Sequence, residues 1–148
     1  MKRIVLALAL AATMFGVAAA DTPAAKAPST KSLYDRLGGK TAIQKVVHQF
    51  VLNVAADKVI NKRFAKTNTK KLEATLVDQV SAATGCTTCK YKGKTMADAH
   101  KGMKISEDEW KATVGDLKSA LDKYKVGDTE QNELLSALAG MHDDIVDK

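Results

Sequence analysis

YKGKTMADAHKGMKI, residues 91–105, is the stretch around which the rest of the chain can be arranged. Its central residue is His100, with Met96 one helical turn earlier and the helix breaker Gly102 two residues later. A histidine at the end of such a turn can present one imidazole nitrogen to a metal or a haem iron. A lone histidine beside apolar residues is more often an ordinary packed residue, so the chemistry of this stretch depends on its context.

The chain outside this stretch has the periodicity of an all-α protein. A short turn over residues 33–37 ends at Gly38-Gly39, where glycine permits a sharp change of direction. No strand pattern or internal repeat competes with the helical pattern. Apolar residues then recur at the spacing of one helical face in four segments, which begin near residues 41, 70, 106 and 128 and end near residues 57, 84, 124 and 145.

Three of the predicted helices begin with a polar residue that can cap the helix. In each case the residue three positions later can complete the cap. The three pairs are Thr41 with Gln44, Ser106 with Glu109, and Asp128 with Gln131. Four helices with short connections could form a simple bundle without any cofactor. The long connection from Gly85 to Thr95 favours a functional site, because runs of this length without secondary structure usually serve one.

Residues 1–20 have the parts of a secretory signal peptide. Lys2-Arg3 comes first, an apolar run follows over residues 4–12, and small residues precede Asp21. We expect cleavage after Ala20 and a periplasmic or secreted protein with no stable membrane span in the mature chain. Residues 21–31, which contain both prolines, are predicted to be a flexible leader, and residues 32–148 a single domain.

The charge balance indicates ordinary solubility. The formal net charge is +6, and removing the two positive charges of the signal leaves 6 − 2 = +4. The lysines are spread over several segments without interleaved aromatic residues, so the sequence does not predict nucleic-acid binding.

Five blocks follow one another along the chain: Ser32-Leu33-Tyr34-Asp35-Arg36-Leu37-Gly38-Gly39, Ala42-Ile43, Val46-Val47, the stretch 91–105, and Trp110 on the helix that follows Ile105-Ser106. In this order they resemble the group I truncated haemoglobins. The resemblance covers residues 32–146 and implies a 2-on-2 helical sandwich around one non-covalent, b-type haem. It further implies a small ligand, either a diatomic gas (O2, CO or NO) or a nitrogen oxide, and leaves enzymatic turnover undecided.

The same resemblance implies roles for individual residues. His100 matches the proximal iron ligand, Phe64 matches the phenylalanine that stacks on the haem, and Lys94 stands where many relatives pair a basic residue with a propionate. Ordinary core packing would explain the apolar wall candidates equally well. Tyr91, Gly93 and Met96 match the loop leading into the proximal helix, and the wall candidates are Met103, Trp110, Val114, Leu117 and Ile145.

The distal side departs from the family pattern. Val51 occupies the position of a family tyrosine, and Leu72 and Leu76 occupy positions where relatives often carry glutamine. Thr75 and Gln79 are then the nearest polar candidates. O2 depends on a hydrogen-bond donor more than CO or NO does, so this distal pocket is predicted to disfavour O2 selectively.

The other two histidines receive weaker predictions. His48 is expected to face outward and therefore not to act as a sixth ligand. His142 lies in the region where some cyanobacterial relatives attach haem covalently.

Cys86-Thr87-Thr88-Cys89-Lys90 is an unusual insertion in the loop before the proximal helix, and three interpretations of it stay open. In an exported protein the two cysteines can form a local disulfide. With Lys90, they also resemble a lysine variant of the c-type haem attachment motif. A redox or metal-binding CxxC is the third interpretation, although zinc would lack two nearby ligands. The second interpretation makes the protein a c-type electron carrier, and a helical bundle without cofactor is the plainest alternative.

Overall fold

The computed structural model describes residues 30–148. The predicted signal peptide and residues 21–29 of the predicted leader lie outside the described residues. Eight α-helices make up the described part, and they are α1 (Leu33–Arg36), α2 (Gly39–Ala56), α3 (Asn61–Phe64), α4 (Thr69–Ala83), α5 (Met96–His100), α6 (Glu107–Lys123), α7 (Asp128–Ala139) and α8 (His142–Ile145). The predicted all-α class is confirmed.

Helix α2 is the centre of the domain, because it packs against α4 on one side and α6 on the other. One cluster joins Val46 to Ala120, Leu121 and Leu134, and another joins Ile43 and Val47 to Val77. Each fully buried aliphatic side chain contributes roughly 1.5–3 kcal/mol, so this stripe stabilises the contact with both neighbouring helices. The buried residues of α2 are Ile43, Val46, Val47, Val51 and Val54, which is the predicted helical spacing.

The helix starts are partly as predicted. Ser106 and Glu109 form the expected reciprocal cap of α6. The expected cap of α2 at Thr41 is wrong, because the helix already begins at Gly39 and its N-cap is Gly38. Gly38 has φ +93°, a left-handed conformation that glycine adopts without steric cost, so the chain turns directly from α1 into α2.

The expected cap of the last helix is also wrong. Asp128 is the first residue of α7, and the N-cap is Gly127, which has no side chain. Gln131 is buried and its Nε2 donates to Asp122 Oδ1 at 2.9 Å and to the Val126 carbonyl at 3.0 Å. Its amide therefore joins α7 to the end of α6.

The predicted single C-terminal helix is interrupted. Helix α7 ends at Ala139 before Gly140, and the four-residue helix α8 follows. The chain then returns to the segment after α5, where Val146 forms an isolated parallel bridge with Ile105 and Asp147 N donates to the Ile105 carbonyl at 3.0 Å. Within residues 30–148, none of the helices is long and apolar enough to cross a membrane.

Candidate functional site

His100 is the last residue of α5 and is half-buried. Its Nδ1 lies 2.8 Å from the carbonyl oxygen of Met96, one turn earlier. A carbonyl only accepts hydrogen bonds, so in the neutral imidazole Nδ1 carries the proton and Nε2 keeps its lone pair. An imidazole held in this tautomer is arranged to ligate a metal through Nε2.

Local sequence explains why α5 is short. Thr95 caps its start, since Thr95 Oγ1 accepts from Asp98 N at 3.1 Å and lies 2.9 Å from Asp98 Oδ2. The helix ends at His100, and Gly102 adopts φ +77°. Met103 N donates to the His100 carbonyl at 3.0 Å, which closes the turn. The position of His100 is thus defined by a cap on one side and a glycine turn on the other.

The loop before α5 is ordered by a few contacts. Cys86 N donates to the Ser81 carbonyl at 3.0 Å, and Cys86 and Cys89 face each other through their sulfur atoms, with their Cα atoms 5.3 Å apart. Tyr91 Oη donates to the Lys94 carbonyl at 2.8 Å. The Tyr91 ring covers Gly93 so closely that a β-carbon there would not fit. In the structure, Tyr91 and Gly93 therefore shape the loop, and the Lys94 side chain is exposed.

Arg63 holds the turn that follows α5. Its guanidinium binds Glu109 through Nε at 2.5 Å and Nη2 at 2.8 Å, and Nη1 donates to the Met103 carbonyl at 2.7 Å. Arg63 Nη2 is also 3.3 Å from the Lys104 carbonyl. The hydrogen bonds from Arg63, together with that from the Ser106 backbone, lower the pKa of Glu109 from 4.5 to about 2. We call this group of contacts the Arg63 clamp.

The clamp links three parts of the site. Phe64, the predicted stacking residue, directly follows Arg63 and is half-buried at the end of α3. Met103, whose carbonyl receives Arg63, donates its own amide to His100. The segments that carry Phe64 and His100 are therefore held together through one guanidinium. Sequence reasoning missed this contact, because Arg63 lies 46 residues from Glu109 along the chain.

The two polar distal candidates on α4, Gln79 and Thr75, make different hydrogen bonds. Gln79 Nε2 lies 3.2 Å from Met96 Sδ and 3.9 Å from Met141 Sδ, so its amide is directed between α4 and α5. Thr75 Oγ1 donates to the Lys71 carbonyl at 2.9 Å, which uses its only hydrogen. Of the two, Gln79 is the donor that the structure places beside the segment bearing His100.

The distal residues and the wall candidates occupy different environments. Val51 is only 5% exposed, whereas Leu72 and Leu76 are half-buried on α4. Trp110 is half-buried and its ring meets the His142 ring edge-on at a centroid distance of 5.2 Å. Met103 is 39% exposed and lies at the surface. The remaining wall candidates are buried or half-buried, and they are Val114, Leu117 and Ile145.

The other two histidines are engaged by carboxylates. His48 is exposed and its Nδ1 is 3.2 Å from Glu73 Oε1. His142 has Nδ1 3.0 Å from Asp143 Oδ1 and Nε2 2.8 Å from Glu107 Oε1. Hydrogen bonding to Asp143 and Glu107 raises the His142 pKa. His142 thus joins α8 to the start of α6 through Glu107, whereas no hydrogen bond to His100 Nε2 is seen within residues 30–148.

Comparison with known proteins places this arrangement among globins. The bacterial-like globin family matches residues 32–147. Group 1 truncated hemoglobin GlbN of Mycolicibacterium paratuberculosis is 32% identical over 114 residues, covering 77% of this chain and 83% of that protein. Truncated hemoglobin of Tetrahymena pyriformis, solved in the Fe(III) form, superposes with a TM-score of 0.76 at 28% identity over 80% of this chain and 100% of that one.

A cyanobacterial structure has the same fold. The 2/2 hemoglobin of Synechococcus sp. PCC 7002, solved in the cyanomet state with covalently attached heme, superposes with a TM-score of 0.73 at 24% identity. The match covers 78% of this chain and 98% of that one.

Proposed function

Because the chain belongs to the bacterial-like globin family, we propose that it is an exported truncated globin. In this proposal it binds one b-type haem through His100 and a small diatomic or nitrogen-oxide ligand. The hydrogen bond from His100 Nδ1 to the Met96 carbonyl is the observation that carries the proposal. It gives the imidazole the tautomer that an iron ligand requires.

The residues around His100 fit a haem. Met96 of α5 and Met141, which precedes α8, lie beside Gln79 of α4, and thioether side chains adapt their shape more readily than branched ones. Leu72 and Leu76 are half-buried on α4 and add apolar surface. When bound, the haem supplies the iron that binds the gas. Lys94 is exposed and forms no ion pair with any other residue of 30–148, so it is available to a propionate.

The protein's own groups have distinct roles in this proposal. The Met96 carbonyl orients His100, and the Arg63 clamp holds the turn behind it. Buried Val51 supplies no hydrogen-bond donor, and Thr75 has already donated its hydrogen to Lys71. The chain would thus hold CO or NO with little polar assistance, and Gln79 is the polar side chain closest to α5.

One preparation tests the proposal. The mature chain is purified after expression with haem supply, and a pyridine haemochrome spectrum identifies the haem type. Extraction with acid acetone then separates non-covalent from covalent haem. The proposal expects an extractable b-type haem at one per chain and a CO difference spectrum. A chain that takes up no haem contradicts it, and haem that stays with the protein favours attachment through Cys86 and Cys89.

We further propose that Cys86 and Cys89 form a structural disulfide in the exported protein. Cys86 lies two residues after Thr84, the C-cap of α4, and the negative end of a helix disfavours a thiolate. A cysteine whose thiolate form is disfavoured is better suited to a permanent disulfide than to redox catalysis. No group of three His, Cys, Asp or Glu side chains within residues 30–148 is arranged to hold a metal ion.

Thiol titration under denaturing conditions should find no free thiol in protein secreted through an oxidising compartment, since Cys86 and Cys89 are the only cysteines. After reduction, two thiols should appear. The matched control is the Cys86→Ser/Cys89→Ser variant, which should show none in either state. Two free thiols before reduction would refute the disulfide, and none after reduction would indicate thioether bonds to haem.

Loss of the Arg63 clamp should loosen haem binding. In Arg63→Met the side chain keeps similar length but loses its hydrogen bonds to Glu109 and Met103, which costs about 1–3 kcal/mol of folding free energy. We expect haem transfer to apomyoglobin to become several-fold faster. Arg36→Met is the control, since Arg36 likewise binds Glu130 and Glu133 but joins α1 to α7. Equal haem transfer rates in the two variants would show that Arg63 stabilises only the fold.

The stability lost in Arg63→Met should depend on pH. The folded-state pKa of Glu109 is lowered, so its contribution to stability is present above its unfolded value of 4.5 and is lost as pH falls towards about 2. The stability difference between the wild type and Arg63→Met should therefore be constant above about pH 5 and shrink below it. Urea unfolding at several pH values measures this difference.

A further inference from the structure

Charge is unevenly divided along the folded chain. Residues 58–104 contain eleven Lys and Arg and three Asp and Glu, a balance of 11 − 3 = +8. Residues 105–148 contain five Lys and eleven Asp and Glu, a balance of 5 − 11 = −6. The modest total charge is therefore the sum of two opposite contributions. Residues 58–104, called here the basic half, carry α3, α4 and α5, and residues 105–148, the acidic half, carry α6, α7 and α8.

The basic half keeps its charges available to solvent. All ten lysines between residues 58 and 104 are exposed, and none belongs to an ion pair in the part of the chain that the structure describes. Two acids of this half are paired with residues outside it, since Glu73 binds His48 and Asp78 binds Lys40. The ten lysines, named here the lysine surface, are Lys58, Lys62, Lys66, Lys70, Lys71, Lys90, Lys92, Lys94, Lys101 and Lys104.

The lysine surface comes from two segments that meet at the candidate site. Residues 58–71 include Phe64, and residues 90–104 include His100. Arg63 joins the segments through its hydrogen bonds to the Met103 and Lys104 carbonyls at 2.7 and 3.3 Å. The two lysine-rich segments therefore meet at Arg63, and they are the segments that carry Phe64 and His100.

Two exposed apolar side chains lie within the same segments. Val59 is 55% exposed and Met103 is 39% exposed, although most apolar residues of the domain are covered. Protein interfaces commonly combine an apolar centre with a charged rim. Nucleic-acid surfaces instead interleave cations with exposed aromatics, and here Phe64 and Tyr91 are only half-exposed.

We propose that the lysine surface is the docking site of an acidic one-electron carrier protein that reduces the haem iron. This inference rests on the proposed function, because an exported haem protein oxidised to Fe(III) needs an electron before it binds O2 or CO again. One electron leaves the reduced carrier, which is oxidised by one equivalent, and Fe(III) becomes Fe(II). No bond is made or broken and no proton is transferred. The nine lysines of this surface other than Lys94, which the proposed function pairs with a propionate, would orient an acidic carrier and speed its encounter.

Flavodoxin, an acidic flavin carrier, is a suitable probe. Stopped-flow mixing of reduced flavodoxin with the ferric holoprotein gives a second-order rate constant, which should fall steeply as ionic strength rises. The Lys62→Glu/Lys92→Glu variant should lower that rate constant by tenfold or more at low salt. Reduction by dithionite should be unaffected in the variant, because it needs no protein docking.

The matched control is Lys123→Glu/Lys125→Glu, which makes the same change in net charge. Lys123 lies 14 residues after Glu109 of the Arg63 clamp, or about 20 Å along α6. The control should slow the reaction by less than threefold. An equal decrease of the rate constant in both variants would overturn the proposal, because only the total charge would then matter. A rate constant that does not change with salt would also overturn it, because charge would then play no part in the encounter.

A binding measurement separates docking from haem function. Oxidised flavodoxin is titrated into 15N-labelled protein, and amide signals of residues 58–71 and 90–104 should shift whether or not haem is present. If the purified chain takes up no haem when haem is supplied, yet these signals still shift, the proposed function is refuted and the docking surface is retained. If these signals stay unmoved while the wild type binds vesicles of phosphatidylglycerol and phosphatidylcholine, the surface serves a lipid membrane and the docking proposal is wrong.

Discussion

Replacing His100 with glycine should abolish tight haem uptake. The imidazole is the ligand candidate that the structure holds in the required tautomer, through the bond from Nδ1 to Met96. Loss of an outer-shell partner alone weakens metal sites by roughly 10–100-fold, so loss of the ligand should weaken haem binding by more than about a hundredfold. Titration of the apoprotein with haemin, followed by its Soret absorption, measures this affinity.

Free imidazole distinguishes a missing ligand from a damaged fold. In His100→Gly it should enter the space left by the side chain and restore haem binding. His48→Gly is the control, since His48 is exposed and contacts Glu73, and its haem affinity should equal that of the wild type. A His100→Gly protein with an unchanged iron spectrum would eliminate His100 as the ligand.

The Val51→Tyr variant should release O2 about ten- to a hundredfold more slowly than the wild type. A hydrogen bond to a ligand that gains negative charge is worth roughly 1.5–3 kcal/mol, which corresponds to that range of rates. CO gains much less charge, so its release should hardly change. Stopped-flow displacement of O2 by CO, and of CO by NO, measures the two dissociation rates.

Val51→Phe is the matched control for this prediction. Val51 is 5% exposed, so either aromatic side chain must be accommodated in a packed environment, at a cost of about 1–3 kcal/mol in stability. Only tyrosine adds the hydroxyl donor. Slow O2 release in Val51→Phe would show that the size of the side chain, and not the hydroxyl group, slows the release. Slow release already in the wild type would indicate another donor, and Gln79→Leu would then test the amide beside Met96.

Local sequence was sufficient for most of the helices. The apolar positions of α2 recur along one face and are the residues that are buried. The cap of α6 was predictable because Ser106 and Glu109 are only three residues apart. The caps predicted at Thr41 and Asp128 were wrong, because a left-handed Gly38 and the glycine at position 127 start those helices instead. Local capping rules do not take into account how the preceding segment of the chain leads into the helix.

His100 illustrates how much of the candidate site was local. Its bond to Met96 and its turn at Gly102 arise within seven residues of sequence, so its local setting was predictable, whereas its role as an iron ligand was implied only by the order of the surrounding blocks. Gln79 was named as a polar candidate, but sequence could not show that its amide faces Met96 and Met141. That direction depends on how α4 packs against α5 and on the turn that separates α7 from α8.

The sequence by itself determined an all-α chain, the faces its helices bury and the setting of His100, because these follow from interactions between residues three or four positions apart. Only the tertiary structure decided that Arg63 binds Glu109 and the Met103 carbonyl, and that two lysine-rich segments meet beside the site. Those contacts join residues 40 or more positions apart. Their partners are selected by the packing of the core, which no local pattern records.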